Sequence, residues 1–259
     1  MTYLDQLFGL QGQVAVVIGG TGTLGAAFCR GIAQAGAQVV VAGRGEDQGA
    51  LRVKELEALG GKASYVPVDV TSRDSMEALL AAAIRDFGKV DLVVNGAGVN
   101  AASPYLEITD DDWDKVLRCD LTAVHLGCQI FGKHMVERGQ GGSMVNIASV
   151  TAHLPLSRVF AYSAAKAGVV NLTQNVAREL APYKVRVNAL CPGFFPAEQN
   201  RRILDATRTA SIMSQTPMAR FGEPDELIGA MLLMLSPVAG SFITGATYYV
   251  DGGFTGMRF

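Results

Sequence analysis

Seven short apolar runs recur along the chain, each separated from the next by a stretch of helical character, and this alternation limits the fold more than any other feature. The runs are residues 13–18, 38–42, 63–68, 90–94, 143–148, 185–190 and 247–250. They are apolar at consecutive positions rather than at every second one, as strands covered on both faces are. Helices are expected at 22–36, 46–60, from 71 onward, at 109–138, 161–180 and from Glu223. Thr71-Ser72-Arg73-Asp74 and Thr109-Asp110-Asp111-Asp112 supply side chains that cap helix N-termini. A polar connection is expected over 196–222. No repeat, low-complexity segment or linker interrupts the order. The pattern predicts an α/β fold: a single Rossmann-type domain over 1–259, doubly wound, with a seven-stranded parallel sheet flanked by helices on both faces. With 49% hydrophobic residues in 259, the chain is long enough to bury one large core.

The first strand runs straight into Gly19-Gly20-Thr21-Gly22-Thr23-Leu24-Gly25 and then into a helix. Gly20-x-Gly22-x-x-Gly25 in that setting fits a dinucleotide site. Glycines let the backbone turn tightly and approach a pyrophosphate, which the positive end of the helix attracts. The end of the second strand then bears on which dinucleotide. An acidic side chain there would bind a ribose 2′-hydroxyl and repel a 2′-phosphate. This chain has Gly43 and Arg44, with no acid before Glu46. A guanidinium pairs well with phosphate, which favours NADP. NAD stays open, because Arg44 can equally stack on adenine or face solvent.

Composition removes several classes. Lysine and arginine total 22 against 24 aspartates and glutamates, so nothing draws the chain to nucleic acid. No apolar run approaches the length needed to span a bilayer, and Met1–Gln6 lacks a basic region before an apolar core. Neither membrane nor secretory signal is therefore expected, and the chain reads as cytoplasmic. Cys29, Cys119, Cys128 and Cys191 are scattered, which points to reduced thiols, and with three histidines no metal site is expected.

Tyr162 and Lys166 stand four residues apart, on one face of the helix expected at 161–180, and Ser149 lies thirteen residues upstream of Tyr162. A free phenol holds its proton to about pH 10, and a neighbouring ammonium favours the phenolate. A Tyr–Lys pair with a serine hydroxyl beside the reacting oxygen suits proton transfer to or from an alcohol or ketone. A chance Tyr-x-x-x-Lys on an amphipathic helix is common, so the weight comes from its surroundings.

Those surroundings resemble the short-chain dehydrogenases/reductases over essentially the whole length. The landmarks, in order, are the Gly19–Gly25 turn, Asp69-Val70, Asn95-Gly96-Ala97-Gly98, Ser149, Tyr162-x-x-x-Lys166, Asn188-Ala189-Leu190-Cys191-Pro192-Gly193 and Val250-Asp251-Gly252-Gly253. The resemblance implies a nicotinamide-dependent oxidoreductase acting on CH–OH groups. It implies Tyr162 as general acid/base, Lys166 on the nicotinamide ribose and Ser149 on the carbonyl or alkoxide oxygen. Asp69 and Val70 would meet the adenine, Asn95, Ala97 and Gly98 the adenosine side, and Pro192, Gly193 and Phe195 the nicotinamide. It also implies a homotetramer, or a homodimer, built through the long crossover helices and the last strand. The chain departs from the pattern at four places. Ile18 stands for a Thr before the glycine turn, Gly96 for a second Asn, and Ala197 for a Thr that contacts the carboxamide. Asp120 stands for the Asn of the catalytic tetrad, next to Cys119.

The opening Leu7–Gly12 and the stretch 192–201 resemble the branch of the family that handles sugar acids and polyols: gluconate 5-dehydrogenases, ketodeoxygluconate dehydrogenases and fructuronate reductases. The segment expected to cover the substrate, about 194–222, is polar at Glu198, Gln199, Asn200, Arg201, Arg202 and Asp205. A hydroxylated small molecule needs such partners, although surface loops are polar in any case. Gln199 and Asn200, with His153 and Arg158 between Ser149 and Tyr162, are the candidate substrate residues. Two other readings fit the same residues. One is a 3-oxoacyl thioester reductase, and the other a nucleotide-binding sensor that has lost catalysis.

Overall fold

The computed structural model describes residues 2–195 and 206–256. Seven strands, β1 (Val14–Ile18), β2 (Gln38–Gly43), β3 (Ala63–Pro67), β4 (Leu92–Asn95), β5 (Gly142–Ile147), β6 (Val185–Pro192) and β7 (Thr247–Val250), form one parallel sheet. Its order is β3-β2-β1-β4-β5-β6-β7. The order reverses beside β1, where doubly wound sheets open a crevice at their C-terminal edge. Register brings Ile18 level with Asn95, Asn95 with Asn146, and Pro192 with Val250, so the chemistry-bearing loops leave the sheet along one edge.

Val, Ile and Ala fill both faces of the central strands, and every residue of β1 and β4 is buried. On one face lie α4 (Arg73–Phe87), α6 (Ala123–Arg138) and α7 (Phe160–Leu180), contributing Met76, Leu79, Phe131, Met135 and Val169 to the core. On the other lie α2 (Thr23–Gln34), α3 (Glu46–Ala58) and α9 (Ile228–Leu235), contributing Phe28, Ile32, Leu56, Met231 and Leu235.

The structure departs from the pattern reading in four elements. A short helix, α1 (Tyr3–Phe8), precedes β1, closed by a reciprocal capping box between Thr2 and Asp5. The stretch expected to be a polar connection contains α8 (Ala206–Gln215). β4 starts at Leu92 rather than Val90, and the Val90 N–H donates to His134 Nε2 at 3.2 Å. The long helix expected over 109–138 is interrupted: α5 (Asp110–Leu117) runs through a π-helical turn, Arg118–Thr122, into α6. No helix among the described residues is long and apolar enough to cross a membrane.

Candidate active site

The glycine turn is shaped by contacts that exclude side chains. Gly19 has φ +87°, and a Cβ there would lie 2.7 Å from the Gly96 carbonyl oxygen. A Cβ on Gly25 would run into the Gly19 carbonyl, so the first turn of α2 sits directly on the glycine loop. Gly22 differs: it is exposed, and a Cβ would find only the Gly19 oxygen at 3.4 Å. It is also the N-cap of α2 and supplies no side-chain cap. The first N–H groups of α2 thus face open space beside bare backbone, a cradle that fits a pyrophosphate. Thr21 lies against the end of β2, where a Cβ on Gly43 would overlap its hydroxyl. Thr23 is exposed and Leu24 packs partly into the core.

Arg44 follows Gly43 and is exposed. Asp69 is exposed nearby; hydrogen bonds from the Thr71 hydroxyl (2.7 Å) and N–H (2.9 Å) hold its carboxyl below the usual range, and Arg44 lowers it further. Val70 packs against the core. Asn95 turns the other way. Its side chain is buried and donates to Asn146 Oδ1 at 2.7 Å, and Asn146 donates to Thr173 at 2.9 Å. This network ties β4, β5 and α7 together. The side chain of Asn95 therefore serves the sheet, whereas Gly96, Ala97 and Gly98 leave the strand beside Gly19.

The central triad lies where β5 meets α7. Ser149 follows β5 and caps a single 3-10 turn, Val150–Ala152; its hydroxyl oxygen accepts from the Thr151 N–H at 3.2 Å, leaving the hydroxyl hydrogen free to donate. Lys166 is 3% exposed and its Nζ donates to the Ile147 carbonyl at 2.9 Å, which pins α7 to the strand that delivers Ser149. The same nitrogen lies 5.4 Å from the Tyr162 ring centre. Asp120, fully buried, places Oδ2 3.2 Å from Lys166 Nζ and accepts from the Val99 N–H through Oδ1 at 2.7 Å. Burial pushes the Asp120 carboxyl above the usual range, while Lys166 and the Val99 N–H pull it back.

At the end of β6, Pro192 pairs with Val250, and a Cβ on Gly193 would come within 2.7 Å of the Asp251 Cα. Phe194 meets Phe254 edge to face at 5.1 Å, and Phe195 lies against Gly222. His153 is exposed, its ring edge-on to Tyr249 at 5.9 Å. Arg158 is exposed with φ +69°, its carbonyl accepting from the Ser103 N–H at 3.1 Å. Gln199, Asn200 and Ala197 lie outside the described residues.

Two participants, the Val99 N–H and Tyr249, escape the sequence reading, and a third, Cys191, enters it only as a landmark and a reduced thiol. The Val99 N–H is main chain and carries no residue signal. Cys191 is buried near Ser149 and Tyr249, and burial pushes its thiol up to about 12, so it stays neutral. Tyr249 is betrayed only by standing two residues before Asp251-Gly252-Gly253.

Comparison with known proteins agrees with this geometry. Residues 20–255 match the family model described as Enoyl-(Acyl carrier protein) reductase. A gluconate 5-dehydrogenase of Gluconobacter oxydans is 36% identical, covering 96% of this chain and 97% of its own. An oxidoreductase of Bacillus subtilis named UxuB, described as uncharacterized, is 36% identical with 95% of each chain covered. The crystal structure of a gluconate 5-dehydrogenase from Burkholderia cenocepacia, in complex with NADP and tartrate, superposes with a TM-score of 0.94 at 32% identity, covering 99% of this chain and 100% of that one. With a glycine cradle at one end of the crevice, Ser149, Tyr162 and Lys166 at the other, and relatives matched from end to end, the chain belongs to the short-chain dehydrogenase/reductase family.

Proposed function

We propose that this protein is an NADP-dependent oxidoreductase that interconverts a secondary alcohol and a ketone on a sugar acid or polyol, of the type gluconate/keto-gluconate or D-mannonate/fructuronate. The observation that carries it is the buried Lys166, held by the Ile147 carbonyl and Asp120 beside the Tyr162 ring. A buried ammonium is costly unless it is paired and has work to do. When bound, the nicotinamide supplies or accepts the hydride. Tyr162 gives a proton to the ketone oxygen in reduction and takes it back in oxidation. Ser149 donates its free hydroxyl hydrogen to the same oxygen, where charge develops. Lys166 holds the ribose side and supports the ionised phenol. Gly19, Gly20, Gly22 and Gly25, with Thr21, Thr23 and Leu24, hold the pyrophosphate; Asp69, Val70, Ala97 and Gly98 flank the adenosine; Pro192, Gly193 and Phe195 back the nicotinamide. Arg44 receives the 2′-phosphate.

The relatives named for gluconate and its keto form support the substrate class, as does the structure solved with NADP and tartrate, itself a hydroxylated diacid. His153 and Arg158, both exposed, are the residues we assign to a substrate carboxylate. The chain works as one domain, and the substrate segment expected at about 194–222 lies partly outside the described residues. It assembles as a homotetramer, or a homodimer, in the cytoplasm, where its four cysteines, all free, stay reduced.

The test is a panel of gluconate, mannonate, their keto forms, polyols and an acetoacetyl thioester, assayed with both dinucleotides by reduced-cofactor absorbance. Turnover is expected with a hydroxy or keto acid of the sugar series. Activity on the thioester alone would replace this reading with the thioester reductase.

A further inference from the structure

In this chain a carboxylate, rather than a neutral amide, faces the lysine from inside a π-helical turn. The widened turn, Arg118–Thr122, lets Asp120 lean out of the long helix toward both α7 and the loop after β4. Each carboxylate oxygen has its own contact. Oδ1 accepts from the Val99 N–H at 2.7 Å, and Oδ2 lies 3.2 Å from Lys166 Nζ. The main chain packs tightly on the remaining side: a Cβ on Gly98 would lie 2.7 Å from Oδ2. The loop so held, Gly96–Val99, is the one that meets the glycine turn, through the contact of Gly19 with the Gly96 carbonyl.

We propose that Asp120 is a positioning residue that ties the dinucleotide-side loop 96–99 to Lys166, so that the seating of the dinucleotide and the charge acting on Tyr162 are set by one side chain. This rests on the reading that the chain binds a nicotinamide dinucleotide. The ionisable groups around the carboxylate are Lys166 from α7, with Tyr162 one turn before it, and the adjoining Cys119, which Arg44 and Asp69 reach from the adenosine side. On the loop side the contacts are main chain.

Substitutions separate the two halves of the tie. Asp120→Asn keeps a carbonyl oxygen for the Val99 N–H but removes the negative charge. Asp120→Ala removes both. NADPH is titrated into wild type and each variant by its fluorescence, with thermal unfolding confirming a folded protein. Turnover of 5-keto-D-gluconate is then followed against pH. The Asn variant is expected to bind NADPH within about threefold of wild type, whereas the Ala variant binds about tenfold more weakly, as loss of a buried hydrogen bond implies. In the Asn variant the ammonium acts on the phenol unopposed, so the pH–turnover profile moves down by about one unit. If the Ala variant does not fold, Asp120→Ser, too short to span both contacts, replaces it under the same criterion. NADPH binding unchanged in the Ala or Ser variant overturns the proposal, as does an unmoved profile in the Asn variant. Absence of any keto-gluconate turnover by wild type counts against the substrate reading instead, and the NADPH titration then decides this one.

Discussion

At the end of β2 a guanidinium stands in the open, with bare Gly43 behind it and Asp69 within electrostatic reach. Arg44 forms none of the ion pairs seen among the described residues, so its charge is available to a ligand. A 2′-phosphate there gains a charge-assisted hydrogen bond that a 2′-hydroxyl cannot match. Arg44→Ala is expected to raise KM for NADPH about tenfold, from the strength of such bonds, while leaving KM for NADH nearly unchanged. Equal effects on the two would mean that Arg44 only stacks or faces water. Tyr162→Phe addresses the other end of the crevice. It should lower kcat by about a thousandfold, the scale of general acid–base catalysis, with NADPH affinity retained. Retained turnover would remove the phenol from the reaction. Arg44 was readable as the residue that closes an apolar strand, whereas Tyr162 and Lys166 were readable by spacing only as sharing a helix face, their weight coming from the surrounding landmarks. Asn95 shows the limit of that method. Its position at the end of β4 was readable, but the direction of its amide, into the Asn146–Thr173 network, depends on the facing strand and helix.

The strand–turn–helix unit of β1 and α2 divides its glycines between folding and binding. Gly25 lacks a side chain because the Gly19 carbonyl occupies the space; Gly22 lacks one although space is open. Gly25→Ala should therefore cost stability, on the order of 1–3 kcal/mol as for other overpacked sites, and disturb the cradle with it. Gly22→Ala should leave the unfolding temperature near that of wild type, since its φ of −82° suits alanine, yet weaken dinucleotide binding by placing a methyl where the pyrophosphate approaches. Thermal unfolding with NADPH titration on both variants checks the division, and equal behaviour would refute it. The same unit was the clearest in the sequence, because a buried strand, a glycine turn and a helix follow one another without a gap. Other elements were not. α8 is rich in Thr and Ser, weak helix formers, so the stretch reads as a polar connection, although Ile212 is buried. α1 spans six residues, too few for a period to show. The π turn adds a residue to a helix whose sequence simply looks helical throughout.

The sheet as a whole has two unlike ends. Its C-terminal edge carries the glycine turn, the buried Ser149 and the exposed Arg44. Its N-terminal edge is closed by charge: Asp91 is buried, accepts from the Val14 N–H at 2.9 Å, and pairs with Arg138 at 2.5 Å and Lys89 at 2.9 Å. His134 belongs to this end, its Nε2 accepting the Val90 N–H that β4 leaves unpaired. Burial, with Arg138 adding to it, lowers the His134 pKa below 6.5, against weaker opposing effects of Asp91 and Glu137. The sign follows from linkage. The unfolded chain protonates this histidine near pH 6.5, whereas the folded chain resists until lower pH, so the unfolded state binds more protons in between and stability falls as pH drops below about 6.5. Protonation also removes the lone pair that receives the Val90 N–H. His134→Gln keeps an acceptor and cannot titrate. Urea unfolding midpoints at pH 7.5 and 5.5 should therefore drop less in this variant than in wild type, with the two proteins most alike at pH 7.5. Parallel losses in both would assign the acid sensitivity of this end to other groups and leave His134 a packing residue.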